Sequence, residues 1–342
     1  MSGTDLSAAL SNSLSLSSIL ILTALGLAIT FGVMRVINMA HGEMLMLGAY
    51  TAFALENSHA IPIVVRNLGR MLGQEWQIEF GLELSLYWAI PISFLVVGIA
   101  GYLLEVCMIR YLYGRPLDTL LATWGVGLVL QQVVKLIFGA NLQPMHVPDE
   151  LQGAVAIGQV TIPTYRIFIV GITLAALLGV YIWFYWTSFG LKIRAVVQNR
   201  QMAAALGIST RQVDALTFAF ASGLAGVAGC IMAHLYNVKY NMGSDYIVEA
   251  FMVVILGGVG QLVGSVAGGV LMGVSNGFVA KIITSSWMIA LVIWLGFSRT
   301  SYEKILGENS ESMAKFIVLL IVIGLVLLRP SGLFTVRERT YD

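Results

Sequence analysis

Two cysteines, seven prolines and four histidines in 342 residues leave little material for several kinds of chemistry. Cys107 and Cys230 both fall inside apolar runs, so they read as small buried side chains rather than a disulfide framework or a metal site. Charge is equally scarce. Only 11% of the chain is Asp, Glu, Lys or Arg, against roughly a quarter in ordinary soluble domains. A net charge of +1, with no long basic block, gives no ground for a nucleic-acid partner. The nucleotide loop G-x-x-x-x-G-K-[ST] is absent, as are H-E-x-x-H and G-x-S-x-G. His41 beside Glu43 suggests acid–base chemistry, but nothing supplies a nucleophile or a metal, so an enzyme is not expected. No Lys or Arg precedes Arg35, so the start lacks the basic region of a cleavable signal peptide.

Apolar surface is what the chain has in excess: 58% of residues are hydrophobic and the mean hydropathy is +0.85. No soluble core of this length needs so much. The expected fold is all-α, a polytopic membrane protein forming a single transmembrane domain over 1–342 with about nine spanning segments. These are placed at 14–34, in the run after Arg35, and at 86–109, 119–138, 165–186, 213–234, 247–256, 262–283 and 314–328. Some are short or broken; 247–256 cannot cross alone unless the turn Gly257 to Gly260 is submerged. Residues 56–85 read as a polar loop, 141–164 as an outer loop with a small hairpin, and 284–312 as a long loop. Nine crossings put the termini on opposite sides. Arg110, Arg115, the loop 188–212 and the tail with Arg329, Arg337 and Arg339 place the C-terminus in the cytoplasm and the N-terminus outside.

That loop, SFGLKIRAVVQNRQMAAALGISTRQ, carries Lys192, Arg194, Arg200 and Arg211 and no acid. Gln198 to Leu206 is rich in helix formers, Gly207 is a C′ stop, and Ser209 with Gln212 reads as a capping box. A short helix held between two spans is a handle for another protein.

Within the apolar chain, Asn38, His41 and Glu43 crowd into six residues. Either they face a cavity or another helix, or they form a hydrated turn at the membrane surface. Thr123, Trp124, Gln131 and Gln132 lie in one span, as a permeation surface or as helix-to-helix hydrogen bonding. Ser222, Gly226 and Gly229 permit close contact on the span at 213–234. Gly260, Gly264 and Gly268 form one ridge and Gly269, Gly273 and Gly277 another, which predicts neighbours on two sides.

The blocks GLAITFGVMRVINMAHGEMLMLGAY, RPLDTLLATWGVGLVLQQ, GLKIRAVVQNRQMAAALGIS, FMVVILGGVGQLVGSVAGG and RPSGLF resemble, in order, the permease subunits of ABC importers for branched-chain amino acids and urea. The second block and FGVMRVINMAHGE are most similar to the urea permease. The stretch from Thr284 to Ala314 is longer than the family pattern. The resemblance implies a multi-pass protein of the bacterial inner membrane that forms half of a urea pathway by alternating access. It implies a second permease subunit, two cytoplasmic ABC ATPases and an extracytoplasmic solute-binding protein as partners. The chain itself would bind no cofactor, ATP being used by those partners. Lys192, Arg194, Arg200, Ala203, Ala204 and Gly207 fall at the family's ATPase-coupling position. Asn38, His41, Thr123, Trp124, Gln131 and Gln132 are the residues suited to a neutral, hydrogen-bonding cargo such as urea. The alternatives are the same machine importing branched-chain or other amino acids, and a passive urea or water channel.

Overall fold

Lipid offers a backbone no hydrogen bonds, so a chain this apolar satisfies its own amides as helices. The computed structural model describes residues 3–34, 36–57, 60–71, 84–157, 160–285, 310–328 and 332–333. Its helices are α1 (Gly3–Met34), α2 (His41–Glu56), α3 (Ala60–Met71), α4 (Leu86–Cys107), α5 (Pro116–Phe138), α6 (Thr164–Trp186), α7 (Ser188–Gln198), α8 (Arg200–Ala205), α9 (Thr210–Ala233), α10 (Met242–Gly257), α11 (Leu262–Ile283) and α12 (Ser310–Leu328). Strands β1 (Ala154–Ile157) and β2 (Val160–Pro163) pair antiparallel, with Ala154 opposite Pro163. This is the hairpin expected between α5 and α6.

Six of these helices contain apolar stretches long enough to cross a membrane: α1, α4, α5, α6, α9 and α11. The other three expected crossings fall on shorter elements. Helices α2 and α10 have 16 residues each, about 24 Å, which is less than a hydrocarbon core of about 30 Å. The apolar part of α12 is Ser312–Leu328. Most of the expected 284–312 loop, together with Arg35, Arg329, Arg337 and Arg339, lies outside the described residues.

By its contacts the chain divides into two compact units. One comprises 22–148 and 174–251, the other 1–21, 149–173 and 252–342. In the first, α9 is the central helix, packed against α4 and α2. Its small residues make that possible. A Cβ on Gly226 would stand 2.8 Å from Ser93 O and Val97 Cβ of α4, and one on Gly229 would meet the α2 backbone at Leu45 and Ala49. Ser222 lies against Gly101 of α4. Trp183 stacks on Phe220 at 4.0 Å, closing α6 onto α9.

In the second unit, α11 presents two glycine faces to two neighbours. Gly264 and Gly268 lie against Gly257 and Val253 of α10, while Gly269, Gly273 and Gly277 lie against Ile21, Ser17 and Ser13 of α1. This is the two-ridge expectation, with Gly260 excepted: it sits before the helix in the turn, at φ 79°. Helix α12 packs on the far end of α11 through Ile283 and Ala314.

Three local expectations are corrected. The loop 56–85 contains α3, because Ala60, Ile63 and Val64 give it an apolar stripe and Asn67 Nδ2 donates to Ile137 O of α5 at 2.6 Å. Ser209 precedes α9 but its side chain makes no cap bond, so the capping box does not form. Cys107 is exposed at the end of α4, whereas Cys230 is buried; both are free thiols.

Candidate translocation site and coupling loop

Between α1 and α2 the helix is broken at 36–40, and α2 restarts at His41. Helix α5 braces this break. Met39 N donates to Thr123 Oγ1 at 3.1 Å, and a Cβ on Gly127 would stand 3.3 Å from Glu43 Cγ. Gly127 is the central residue of α5, so Glu43 sits level with the middle of a spanning helix. The break is therefore buried in protein, not hydrated at a surface.

The carboxylate of Glu43 is held by groups from two other helices. Gln131 Nε2 of α5 donates to Glu43 Oε1 at 2.7 Å and to Ser244 Oγ at 2.7 Å, and Ser244 Oγ of α10 donates to the same Glu43 oxygen at 3.1 Å. The first turns of α2 and α10 meet here, with Gly42 against Gly243. Two helix N-termini bring partial positive charge to the carboxylate. Several polar atoms nearby have no partner among the described residues: Glu43 Oε2, both amide atoms of Asn38, and His41 Nδ1. His41 is fully buried and its Nε2 donates to Thr23 O at 3.0 Å, in the space left by Gly26. Buried polar groups without partners are costly, and at membrane depth they mark functional sites.

The expected residues are thus partly assembled. Asn38, His41, Thr123 and Gln131 gather around the break. Trp124 is 54% exposed and Gln132 is also exposed, both outside it. The inward stripe of α5 runs through Thr119, Thr123, Gly127 and the half-buried Gln131. It turns by about 40° at each four-residue step, so a residue in line with Gln131 on the wheel, as Trp124 is, lies off the stripe two turns earlier. Glu43 is conspicuous in the sequence but was not among the expected path residues, and Ser244 carries no local signal that would have included it. Replacing Thr123 by Val should leave Met39 N–H without its acceptor and lower stability by about 1–3 kcal/mol, read as an earlier thermal unfolding of the detergent-solubilised protein.

The basic loop is helical almost throughout. Thr187 caps α7 by accepting from Gly190 N at 3.0 Å, and Asn199 caps α8 by accepting from Met202 N at 2.9 Å. Gly207 ends α8 at φ 85°, where L side chains are strained, with Ile208 N donating to Ala203 O at 3.0 Å. The C′ stop is as expected. The face of α8 turned to solvent is Gln201, Met202, Ala204, Ala205 and Leu206, with Leu206 76% exposed. Lys192 and Gly207 are exposed too, and the Arg194 guanidinium lies 5.5 Å over the Tyr185 ring. Ala203 and Arg200 differ from the rest. Ala203 is buried with Ile193, Val196 and Val213. Arg200 pairs with the buried carboxylate of Asp214 in α9. These two hold the loop to the body, Ala203 by burial and Arg200 by its ion pair, although the Arg200 side chain is still 44% exposed.

A family model described as "Branched-chain amino acid transport system / permease component" matches residues 9–326. The chain belongs to this permease family. It is 27% identical over 330 residues to the high-affinity branched-chain amino acid transport system permease protein BraD of Pseudomonas aeruginosa, covering 94% of this chain and 93% of that one. LivH, the corresponding permease protein of Escherichia coli, is 26% identical over 283 residues, covering 81% and 86%. A probable LivH of Methanocaldococcus jannaschii is 24% identical over 332 residues, covering 93% and 89%. No solved structure matches. As a member of a transport permease family with six long apolar helices among the described residues, the chain is a multi-pass membrane protein and not an enzyme.

Proposed function

We propose that this permease is one of two membrane subunits of an ATP-driven ABC importer, and that its cargo is a branched-chain or similar amino acid rather than urea. What carries the reading is the family match over nearly the whole chain, together with three relatives that are all named for branched-chain amino acids. The urea preference drawn from the DTLLATWG and FGVMRVINMAHGE blocks finds no support among them. Chemistry at the α1–α2 break agrees. A path for urea needs no fixed charge, yet Glu43, one carboxylate oxygen of which has no partner among the described residues, sits beside Asn38, His41, Thr123 and Gln131. An α-ammonium group is the cargo feature that such an oxygen suits.

In this reading the cytoplasmic loop docks an ATPase through Met202, Ala204 and Leu206, flanked by Lys192 and Arg194. ATP binding draws the loops of the two permease subunits together, tilts their helices and opens the path to a solute-binding protein outside; hydrolysis resets it. The chain binds no nucleotide itself. Its N-terminus lies outside, its C-terminus and 188–212 in the cytoplasm.

The test is reconstitution. Vesicles holding this chain alone should pass neither leucine nor urea above the lipid background. With a second permease subunit, the ATPases, the binding protein and ATP, they should accumulate leucine against its gradient. Rapid flux through the lone chain would establish a channel, and accumulation of urea but not leucine would overturn the cargo assignment. Ala204→Glu places a charge on the docking face without touching the packed side of α8. It should abolish co-purification of the ATPases while the chain still inserts.

A further inference from the structure

Helix α8 is tied to the membrane helices by one connected set of polar side chains. Arg200, its first residue, pairs with Asp214 in the second turn of α9, and the Asp214 side chain is fully buried. The same guanidinium lies 5.1 Å over the ring of Tyr113, in the turn between α4 and α5. Tyr113 OH donates to Glu105 Oε1 at 3.2 Å, and Arg110 Nη2 donates to Glu105 Oε2 at 3.2 Å. Glu105 is fully buried in the last turn of α4. Burial holds the Tyr113 phenol well above its ordinary range, so it stays a donor. Met34, Val36, Ile109 and Phe218 pack beside this set, with Tyr113 against them.

We infer that the set Arg200–Asp214 and Tyr113–Glu105–Arg110 is a rigid coupling relay, in which Arg200 is the positioning residue that makes α8, α9 and the α4–α5 turn move as one body. This rests on the importer reading above. Two of its members, Asp214 and Glu105, are carboxylates buried at the ends of spanning helices. Asp214 is compensated by Arg200 of another helix, and Glu105 by Arg110 and the Tyr113 hydroxyl in the turn that follows α4, so the cation–ring contact of Arg200 with Tyr113 is what links the two carboxylates. A push delivered to the exposed face of α8 reaches α9 through Asp214 and α4 through Tyr113 and Glu105. Without the relay, α8 still docks, since Met202, Ala204 and Leu206 face the other way, but its displacement is no longer passed on.

The experiment is performed on the reconstituted transporter, with leucine uptake and ATP hydrolysis measured together. Arg200→Met keeps the bulk and removes both the ion pair and the ring contact. It should leave ATP hydrolysis within about twofold while leucine taken up per ATP falls roughly tenfold. Tyr113→Phe keeps the ring under Arg200 and removes only the bond to Glu105, and should give a smaller fall. The swap Arg200→Asp with Asp214→Arg should recover part of the ratio lost in Arg200→Asp alone. An unchanged uptake per ATP in both Arg200→Met and Tyr113→Phe would overturn the relay. So would loss of assembly in every variant, the swap included, since that is what a merely structural tie produces. If the unaltered transporter takes up no leucine, it is the importer reading that fails, and the two failures are told apart.

Discussion

Gly273→Leu and Gly268→Leu should each remove most of the protein from the membrane fraction, whereas Gly171→Leu and Gly179→Leu should be tolerated. A Cβ on Gly273 would stand 2.5 Å from the Ser17 backbone N and Cα, and one on Gly268 would stand 2.5 Å from Val253 O. Both obstacles are backbone, which cannot retreat by changing rotamer. The helix must move out by the width of a side chain and lose contacts along its whole face. Overpacking usually costs about 1–3 kcal/mol where side chains can adjust, and more is expected here. Between helices in lipid there is no hydrophobic driving force to make up for lost van der Waals packing. Gly171 and Gly179 of α6 meet nothing within 4 Å. The check is the yield and monodispersity of the four variants after detergent extraction. Equal yields would mean that α11 does not depend on close approach to α1 and α10.

Those two ridges are legible in the sequence because a four-residue glycine spacing has one meaning in an apolar helix. The number of neighbours follows from the number of ridges. Helix α3 is not legible in the same way. Its stripe is short and interrupted by Pro62, Arg66 and Asn67, and the Asn67 amide bond to α5 spans 70 positions. The short helices α2 and α10 are visible as apolar runs, but a run of 16 residues does not state whether it crosses a membrane or stops inside a protein. In the coupling loop, composition indicates α8 and its glycine stop. It cannot separate the two roles on one short helix, because Arg200 and Ala203 face Asp214 and Val213 only through the fold. The acid-free run of residues 188–212 reads as an open cationic surface, yet one of its cations is neutralised by an acid two residues beyond its end.

The second large effect concerns Glu43. As a polar residue beside Asn38 and His41 it is conspicuous in sequence, but its partner Ser244 stands 201 positions away and no local pattern joins them. Glu43→Gln should lower leucine uptake by the reconstituted transporter about tenfold without altering assembly. The substitution is chosen because Gln retains a carbonyl oxygen to accept from Gln131 and Ser244, as Glu43 Oε1 does at 2.7 and 3.1 Å. What disappears is the negative charge and the unpartnered Oε2. An ammonium can still donate to the Gln carbonyl, so what is lost is the attraction between two opposite charges in a site shielded from water; a loss of about 1.4 kcal/mol is a factor of ten. Glu43→Ala is a different perturbation, since it strands the Gln131 amide and Ser244 hydroxyl inside the protein and should damage assembly as well. Comparing the two separates the charge from the scaffold. If Glu43→Gln transports leucine normally while Glu43→Ala fails to assemble, the carboxylate is a pin between α2, α5 and α10 and does not meet the cargo. If Glu43→Gln assembles normally and loses uptake, the charge at the centre of the path is what the ammonium group of the amino acid engages as it passes.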